Sequence, residues 1–174
     1  PEWQIADLAI MAIGAISVPA YTTSTTNDYE HIINHSEARC IIISSHSLVL
    51  KAMPAIVKSS KCHNVIKIDE DNNKYSDPIN ILNWNSVIEE NNDTSWTSIE
   101  NENYKNVDLL KISSSHKRND TACIIYTSGT GGSPKGVMLS HGAMLTNCSG
   151  AQELLKNLII DLKEIKFLSW LPLS

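Results

Sequence analysis

Apolar positions at the start of the chain alternate between helical spacing and short continuous runs. Between Ile5 and Ile13 they recur every three or four residues, Gly14 interrupts the periodicity, and a short apolar run follows at 16–18. Such spacing is typical of one face of an amphipathic helix, and glycine often ends a helix. The pattern predicts a helix that ends near Gly14 and leads into a strand.

Two further cycles of helix and strand follow. Asn27 and Glu30 stand three residues apart, which is a capping signature, and the continuous apolar run 40–43 predicts a buried strand after that helix. The residues expected on the inner face of the helix are Tyr29, Ile32 and Ile33.

The next cycle predicts a helix that Ser45 or Ser47 caps and that Pro54 kinks or shortens, followed by a strand at 65–68. The inner face of this helix is expected to hold Val49, Met53, Ile56 and Val57. Because helices and buried strands alternate, the sequence predicts an α/β fold with a parallel sheet flanked by helices.

Residues 69–119 have a different character, since Asn, Ser, Asp, Glu and Lys dominate and periodicity is limited to 81–88 around Trp84. A segment this polar buries little apolar surface. We interpret it as a polar insertion or linker within one partial domain, 1–174, and expect it to contribute little to the core.

Periodicity returns with the apolar run 122–126, which predicts a buried strand ending in a glycine-rich stretch. Beyond that stretch, 137–139 is strand-like, Ser140 can cap a helix, and 166–170 predicts another strand. The face of the helix that packs is expected to contain Met144, Cys148, Ala151, Leu155 and Leu158.

Composition narrows the class of protein. The 174 residues are 42% hydrophobic and 19% charged, which is typical of a globular protein, and the net charge of -5 argues against nucleic-acid binding, which needs a basic surface. The apolar stretch 5–16 is shorter than the roughly 20 residues that cross a bilayer. Because the chain begins at Pro1 and stops directly after a strand-like run, we expect both ends to be cut from a longer protein.

The four cysteines are widely separated and form no C-x-x-C pair. They fall in or beside apolar runs, where a thiol behaves as a small buried hydrophobe. A reducing, cytoplasmic location is the expectation.

Four of the seven glycines lie between Gly129 and Gly136, among hydroxyl-bearing residues and beside Lys135. Glycines let backbone N–H groups approach an anion, hydroxyls add neutral donors, and a lysine supplies a mobile charge for phosphate oxygens. The spacing is not that of the common P-loop, because Lys135 follows Pro134 and precedes a glycine instead of opening a helix. The cluster predicts a phosphate-binding loop of another kind.

The run YTSGTGGSPKGVMLSH, residues 126–141, resembles the signature of the adenylate-forming superfamily, YTSGTTGxPKGV followed by Met-Leu-Ser/Thr-His. One position departs, with Gly131 where Thr or Ser is commoner. The flanking segments PEWQIADLAIMAIGAISVPAYTT and FLSWLPLS are similar to those of bacterial long-chain fatty-acid–CoA ligases. The resemblance covers about residues 1–68 and 121–174 and implies the N-terminal portion of the large domain of such a ligase.

In that family the loop binds the β- and γ-phosphates of ATP while a carboxylate attacks the α-phosphorus, and the acyl group then passes to coenzyme A. The resemblance implies ATP, Mg²⁺ and coenzyme A as cofactors and co-substrates, and Lys135 as the catalytic residue that neutralises the departing pyrophosphate. The ATP contacts that it implies are Thr127, Ser128, Gly129, Thr130, Gly131, Gly132 and Lys135. It further implies small-molecule partners, namely ATP, a fatty acid and coenzyme A, and peripheral membrane association of the full-length enzyme.

Other interpretations stay open. An enzyme of the same superfamily could act on aryl or amino acids, and a split or degraded gene could yield a non-catalytic fragment; residues 1–174 alone are expected to be inactive. His31 and His35 have a zinc-compatible spacing but no third ligand nearby, so we interpret them as surface histidines and expect no metal site. His141 is expected to pack or to bond nearby backbone.

Overall fold

The computed structural model describes residues 2–69, 79–89, 109–127 and 133–158. These ranges contain six helices and five strands. In chain order they are α1 (Glu2–Ala12), α2 (Thr26–His35), β1 (Cys40–Ile43), α3 (His46–Lys58), β2 (Asn64–Lys67), β3 (Asn80–Asn83), α4 (Trp84–Glu89), α5 (Leu109–Ser115), β4 (Thr121–Thr127), β5 (Lys135–Ser140) and α6 (His141–Leu158). None of the helices in the described ranges is long and apolar enough to span a bilayer.

The predicted end of the first helix is confirmed at Gly14, which has a positive φ of 77°. The Gly14 N–H donates to Met11 O and the Ala15 N–H to Ile10 O, the paired bonds of a Schellman ending. The strand predicted next is reduced to a single parallel bridge between Ser17 and Cys123. After the first helix, the chain therefore runs beside β4.

Strands β1, β2 and β3 form a parallel sheet in that order, with Val65 of β2 between Ile41 and Ile81. Helix α3 connects β1 to β2, and side chains of α2 and α3 form the core with the sheet, so the predicted α/β fold with a parallel sheet is confirmed. Its core is a single cluster in which Ile56 and Val65 are fully buried. The other buried members are Tyr29, Ile33, Ile43, Val49, Ala52, Ala55, Cys62 and Ile79.

The expectation that residues 69–119 contribute little to the core needs correction for 79–84. β3 is the third strand of the parallel sheet, Ile79 belongs to the core cluster, and Trp84 is buried. The polar residues around this short run mask its apolar content in any averaged composition. Residues 70–78 and 90–108 lie outside the described residues, so the division of the domain stays a prediction.

Helix α2 begins two residues earlier than the capping signature predicts. Thr25 is the N-cap: its Oγ1 accepts a hydrogen bond from the Asp28 N–H at 3.2 Å, and Asp28 Oδ2 accepts one from the Thr25 N–H at 2.8 Å. This reciprocal pair is a capping box. The predicted inner face of α2 is confirmed, since Tyr29, Ile32 and Ile33 are all buried.

Helix α3 follows Ser45, one of the two predicted caps, but the Ser45 side chain makes no cap hydrogen bond. The helix continues through Pro54 and ends at Lys58. Val49 and Ile56 are buried as predicted, whereas the prediction for Val57 is wrong because its side chain is 60% exposed. Val57 is one residue beyond Ile56, which turns it about 100° away from the core.

β4 and β5 form an antiparallel hairpin in which Ile124 faces Met138 and Tyr126 faces Gly136. The predicted cap of the helix that follows is confirmed, because Ser140 Oγ accepts a hydrogen bond from the Ala143 N–H at 3.1 Å. Along α6, however, Cys148 and Ala151 of the predicted packing face are exposed. The strand predicted at 166–170 lies outside the described residues.

The four cysteines do not share one environment, although burial was predicted for all of them. Cys62 and Cys123 are buried, but Cys40 and Cys148 are exposed; all four are free thiols. Burial raises the pKa of the Cys62 thiol to about 11, so this thiol remains protonated at neutral pH.

Candidate functional site

The glycine-rich stretch joins the two strands of the β4–β5 hairpin. Thr127 is the last residue of β4 and Lys135 the first residue of β5, and the two are paired in the ladder. Both residues are exposed, as is Ser133. The antiparallel pairing therefore sets Thr127 and Lys135 opposite each other at the two points where the connecting stretch begins and ends.

Five of the predicted ATP contacts lie outside the described residues. They are Ser128, Gly129, Thr130, Gly131 and Gly132. Their assignment as phosphate contacts stays a prediction. The described part of the predicted site consists of Thr127 and Lys135, which the hairpin register brings together.

Gly136 allows the hairpin to be tightly packed next to Lys135. A Cβ atom at this position would lie 2.8 Å from Ile124 Cγ2 and 3.3 Å from Tyr126 Cζ. A contact under 3.0 Å requires one of the groups to move, and isoleucine is stiff because it is branched at Cβ. The glycine thus has a second role besides loop flexibility: it lets the Tyr126 ring lie against β5.

Two side chains of α2 contact the hairpin on either side of the glycine-rich stretch. His31 Nε2 lies 2.8 Å from Pro134 O, and His35 Nδ1 lies 2.7 Å from the Tyr126 hydroxyl. The two imidazoles stack with centroids 5.3 Å apart, and each meets the Tyr126 ring edge to face at 5.9 and 5.7 Å. The interpretation of His31 and His35 as surface histidines misses these contacts.

The donor in the His31 bond is settled by chemistry, because a proline carbonyl can only accept; His31 Nε2 must bear the proton. For His35 the ring nitrogen accepts from the tyrosine when His35 is neutral with its proton on Nε2. Burial raises the pKa of Tyr126, so its hydroxyl keeps the proton that it donates. The buried Tyr126, which is only 5% exposed, therefore has a hydrogen-bond partner for its hydroxyl in His35.

Signals for these contacts exist in the sequence but are ambiguous. The spacing of His31 and His35 places them on one face of α2, and their partners lie 103 and 91 residues away along the chain. A shared helix face shows that two side chains can act together. It does not show what they act on.

The surface of α2 beside these histidines forms an open groove of about 750 Å³. Its lining residues are Asn27, Glu30, His31, Asn34, His35 and Lys58. The Lys58 ammonium is bonded to the Glu30 carboxylate at 2.8 Å, which ties the end of α3 to α2 across the groove. The groove is therefore polar, and its one ammonium group already has a partner.

Lys135 differs from Lys58 in this respect. Within the described ranges its side chain forms no ion pair, and it stands exposed next to the Thr127 hydroxyl position. A mobile cation beside neutral donors is suited to an anion with several oxygens, such as a phosphate chain. No group of three or more His, Cys, Asp or Glu side chains that could hold a metal ion is found in the part of the chain that the structure describes.

His141 occupies a separate position at the start of α6. Its N–H donates to Asp120 O at 3.0 Å, and its ring lies parallel to that of His116 with centroids 5.6 Å apart. These are the backbone bond and the packing contact that the sequence leads us to expect. Nothing in this arrangement directs His141 toward Lys135.

A family model described as AMP-binding enzyme matches residues 1–174. The chain is 26% identical to the long-chain-fatty-acid–CoA ligase of Mus musculus over 99% of its length, and 29% identical to that of Gallus gallus over 100%. It is 30% identical to long chain acyl-CoA synthetase 4 of Arabidopsis thaliana over 100%. These matches cover 24%, 21% and 25% of the relatives, so the chain spans about a quarter of the length of the curated relatives it matches.

Solved structures agree on the fold. A luciferase of Phrixothrix hirtus superposes with a TM-score of 0.54 at 20% identity, over 78% of this chain and 29% of that one. A benzoate CoA ligase of Burkholderia xenovorans superposes with a TM-score of 0.51 at 20% identity, over 83% and 23%.

Proposed function

Because the chain belongs to the AMP-binding enzyme family, we propose that it provides the ATP-phosphate site of an AMP-forming acyl-CoA ligase that acts on long-chain fatty acids. The observation that supports this most directly is the pairing of Thr127 with Lys135 at the ends of the glycine-rich stretch. Curated relatives named as long-chain-fatty-acid–CoA ligases favour this acid over the aryl and amino acids of the rival interpretation.

The proposed reaction has two steps. A carboxylate oxygen of the fatty acid attacks the α-phosphorus of ATP, and the bond from that phosphorus to the bridging oxygen of pyrophosphate breaks. The thiol of coenzyme A then attacks the acyl carbon, loses its proton, and displaces AMP. The products are acyl-CoA, AMP and pyrophosphate.

In the first step negative charge accumulates on the departing pyrophosphate. The β4–β5 register fixes the backbones of Lys135 and Thr127 opposite each other, so the ammonium group and the hydroxyl need little reorganisation to stabilise that charge. Residues Ser128, Gly129, Thr130, Gly131 and Gly132 would supply backbone and hydroxyl donors to the same phosphates. Mg²⁺, when bound to the phosphates, would neutralise further charge.

The test is exchange of radiolabelled pyrophosphate into ATP by the full-length protein, with palmitate, benzoate and an amino acid compared as substrates. We expect exchange with palmitate. In the variant Lys135→Ala the rate should fall roughly 10²- to 10³-fold, because removing one donor to a developing charge costs about that much.

Lys61→Ala is the matched control. Lys61 is also an exposed lysine, but its ammonium pairs with Glu37 at 2.7 Å, in a surface ion pair outside the hairpin. Its loss should leave the exchange rate unchanged. Exchange with benzoate alone would support the rival substrate class, and an unchanged rate in Lys135→Ala would overturn the assignment of the site.

A further inference from the structure

Helix α2 contacts the loop-bearing hairpin at both ends of the glycine-rich stretch. The His31 bond reaches Pro134 O, one residue before Lys135, and the His35 bond reaches Tyr126, one residue before Thr127. Thr127 and Lys135 are the two described residues proposed to contact phosphate. Each of them is therefore next in the chain to a residue bonded to α2.

Helix α2 is itself firmly held. Tyr29 and Ile33, on the face opposite the histidines, are buried in the core of the parallel sheet; Ile32 is also buried, and the capping box fixes the first turn. Positions of catalytic groups are more precise when a packed element supports them than when a loop alone does. The imidazoles connect such an element to the hairpin.

We infer that His31 and His35 are positioning residues: through Pro134 and Tyr126 they fix the two ends of the phosphate loop relative to the parallel sheet, and so place Lys135 and Thr127. This inference rests on the proposed function for its catalytic consequence, although the contacts themselves can be tested without activity. Neither histidine needs to touch substrate. Their effect is carried by the two hydrogen bonds and by the stacking of the three rings.

A positioning role makes a specific kinetic prediction. A small displacement of a charge that acts in the transition state lowers kcat, while binding of the remaining substrate groups is little changed. In the full-length protein we expect His31→Leu and His35→Leu each to lower kcat for pyrophosphate exchange about tenfold to a hundredfold. The KM for ATP should change less than about threefold.

Conservative variants separate the hydrogen bonds from bulk packing. Glutamine can present an amide N–H where His31 Nε2 lies, and asparagine can present an amide where His35 Nδ1 lies. His31→Gln and His35→Asn should therefore recover kcat to within about threefold of the wild-type value. Tyr126→Phe removes the other partner of the His35 bond, so it should match His35→Leu, and the double variant should be no slower than either single one.

His63 provides the matched control histidine. Its Nε2 also bonds a carbonyl, that of Ser60 at 3.2 Å, but this contact is local and does not involve the hairpin. His63→Leu should leave kcat at the wild-type value. Loss of activity in His63→Leu equal to that in His31→Leu would show a general effect of losing a histidine and would overturn the inference.

Hydrogen exchange tests the contacts independently of catalysis. In His31→Leu the backbone amides at 135–136 should exchange about tenfold faster than in wild type, while those of β1 and β2 should not change. If wild type catalyses no exchange of pyrophosphate, the proposed function fails, and the amide measurement still decides this inference. If wild type is active but the leucine variants keep both wild-type kcat and wild-type amide protection, the anchoring role is wrong.

Discussion

Two regions of the molecule differ in how their apolar side chains are packed. They are the parallel-sheet region, residues 26–67 and 79–83, and the hairpin region, residues 121–127 and 133–158. In the first, Ile56, Val65 and Cys62 are fully buried and the apolar side chains form one cluster. In the second, Met138 of β5 is 65% exposed and Leu154 of α6 is 64% exposed. The core cluster therefore lies in the first region and has no member among the described residues of the second, although single residues depart from this contrast, such as the exposed Val57 and the buried Cys123.

Within the described residues, the two regions are held in place in different ways. A closely packed core resists changes of volume and holds its elements in fixed positions. The hairpin places Thr127 and Lys135 at the end that carries the connecting stretch. Among the described residues it is held by the bonds of His31 and His35 and by the bridge in which the Ser17 N–H donates to Ala122 O, together with the buried side chains of β4. Specific polar contacts are therefore a larger part of what holds the hairpin than of what holds the packed region.

The largest effect expected from this comparison follows from deleting a core side chain. Ile56→Ala removes a fully buried side chain from α3 and should lower the free energy of unfolding by about 2–5 kcal/mol. Hydrogen exchange should report the loss more strongly at β1 and β2 than at the hairpin. Val57→Ala, at the neighbouring exposed position, should change stability by no more than about 0.5 kcal/mol.

Equal loss of protection at β2 and at β5 in Ile56→Ala would break the comparison, because it would show that both regions open as a single unit. A small effect of Ile56→Ala at every amide would show instead that the core cluster is not the main source of stability.

A second, smaller effect tests the packing inside the hairpin region. Gly136→Ala introduces a Cβ 2.8 Å from Ile124 Cγ2, and overpacking of this kind costs about 1–3 kcal/mol. Gly150 in α6 has no atom within 4 Å of the position of an added Cβ. Gly150→Ala should therefore stabilise the protein by up to about 1 kcal/mol, since alanine is the better helix former.

Urea denaturation of the two glycine variants distinguishes the outcomes. If Gly136→Ala is as stable as wild type, the hairpin is looser than its contacts indicate, and the contrast with the packed region becomes sharper. If Gly150→Ala is destabilising, the exposed face of α6 has a packing partner.

The elements most accurately predicted from the sequence are those that depend on local pattern. The continuous apolar runs at 40–43 and 122–126 form strands as predicted, although Cys40 at the start of the first is exposed. Ser140 caps α6 because its oxygen lies within reach of the N–H three residues on. The two strands beside the glycine-rich stretch were predicted, but their antiparallel register, which pairs Thr127 with Lys135, was not.

What the sequence could not predict depends on placement across long stretches of chain. Within the run 79–84, β3 pairs with the edge of β2 that β1 leaves open. The polar residues that surround this run in the sequence make it hard to recognise as a strand. The contacts of His31 and His35 with the hairpin join residues 103 and 91 positions apart, so no local pattern indicates them. Even the start of α2 is locally ambiguous, since Thr25 and Asp28 have the same spacing as Asn27 and Glu30.

The smallest expected effect concerns the start of α2, the helix that both regions share. Thr25→Ala removes the Oγ1 that accepts from the Asp28 N–H, and loss of such a cap costs about 1 kcal/mol. Ser45→Ala is the control, because Ser45 holds the same position at α3 without a side-chain cap bond, and it should cost clearly less.

The effect of Thr25→Ala should also depend on pH. Hydrogen bonds from the Thr25 N–H and hydroxyl lower the pKa of Asp28 below its ordinary value. A carboxyl whose pKa is lower in the folded state than in the unfolded one, where it is about 3.9, stabilises the fold above that pH. This contribution is lost as the pH falls through the folded-state pKa.

The stability difference between wild type and Thr25→Ala should therefore be constant from pH 7 to about pH 5 and shrink below about pH 4, as measured by thermal unfolding in a series of buffers. Because the Thr25 N–H bond to Asp28 Oδ2 remains in the variant, a difference that stays constant into the acid range would show that the bond from the Thr25 hydroxyl to this carboxylate does not contribute to the pH dependence.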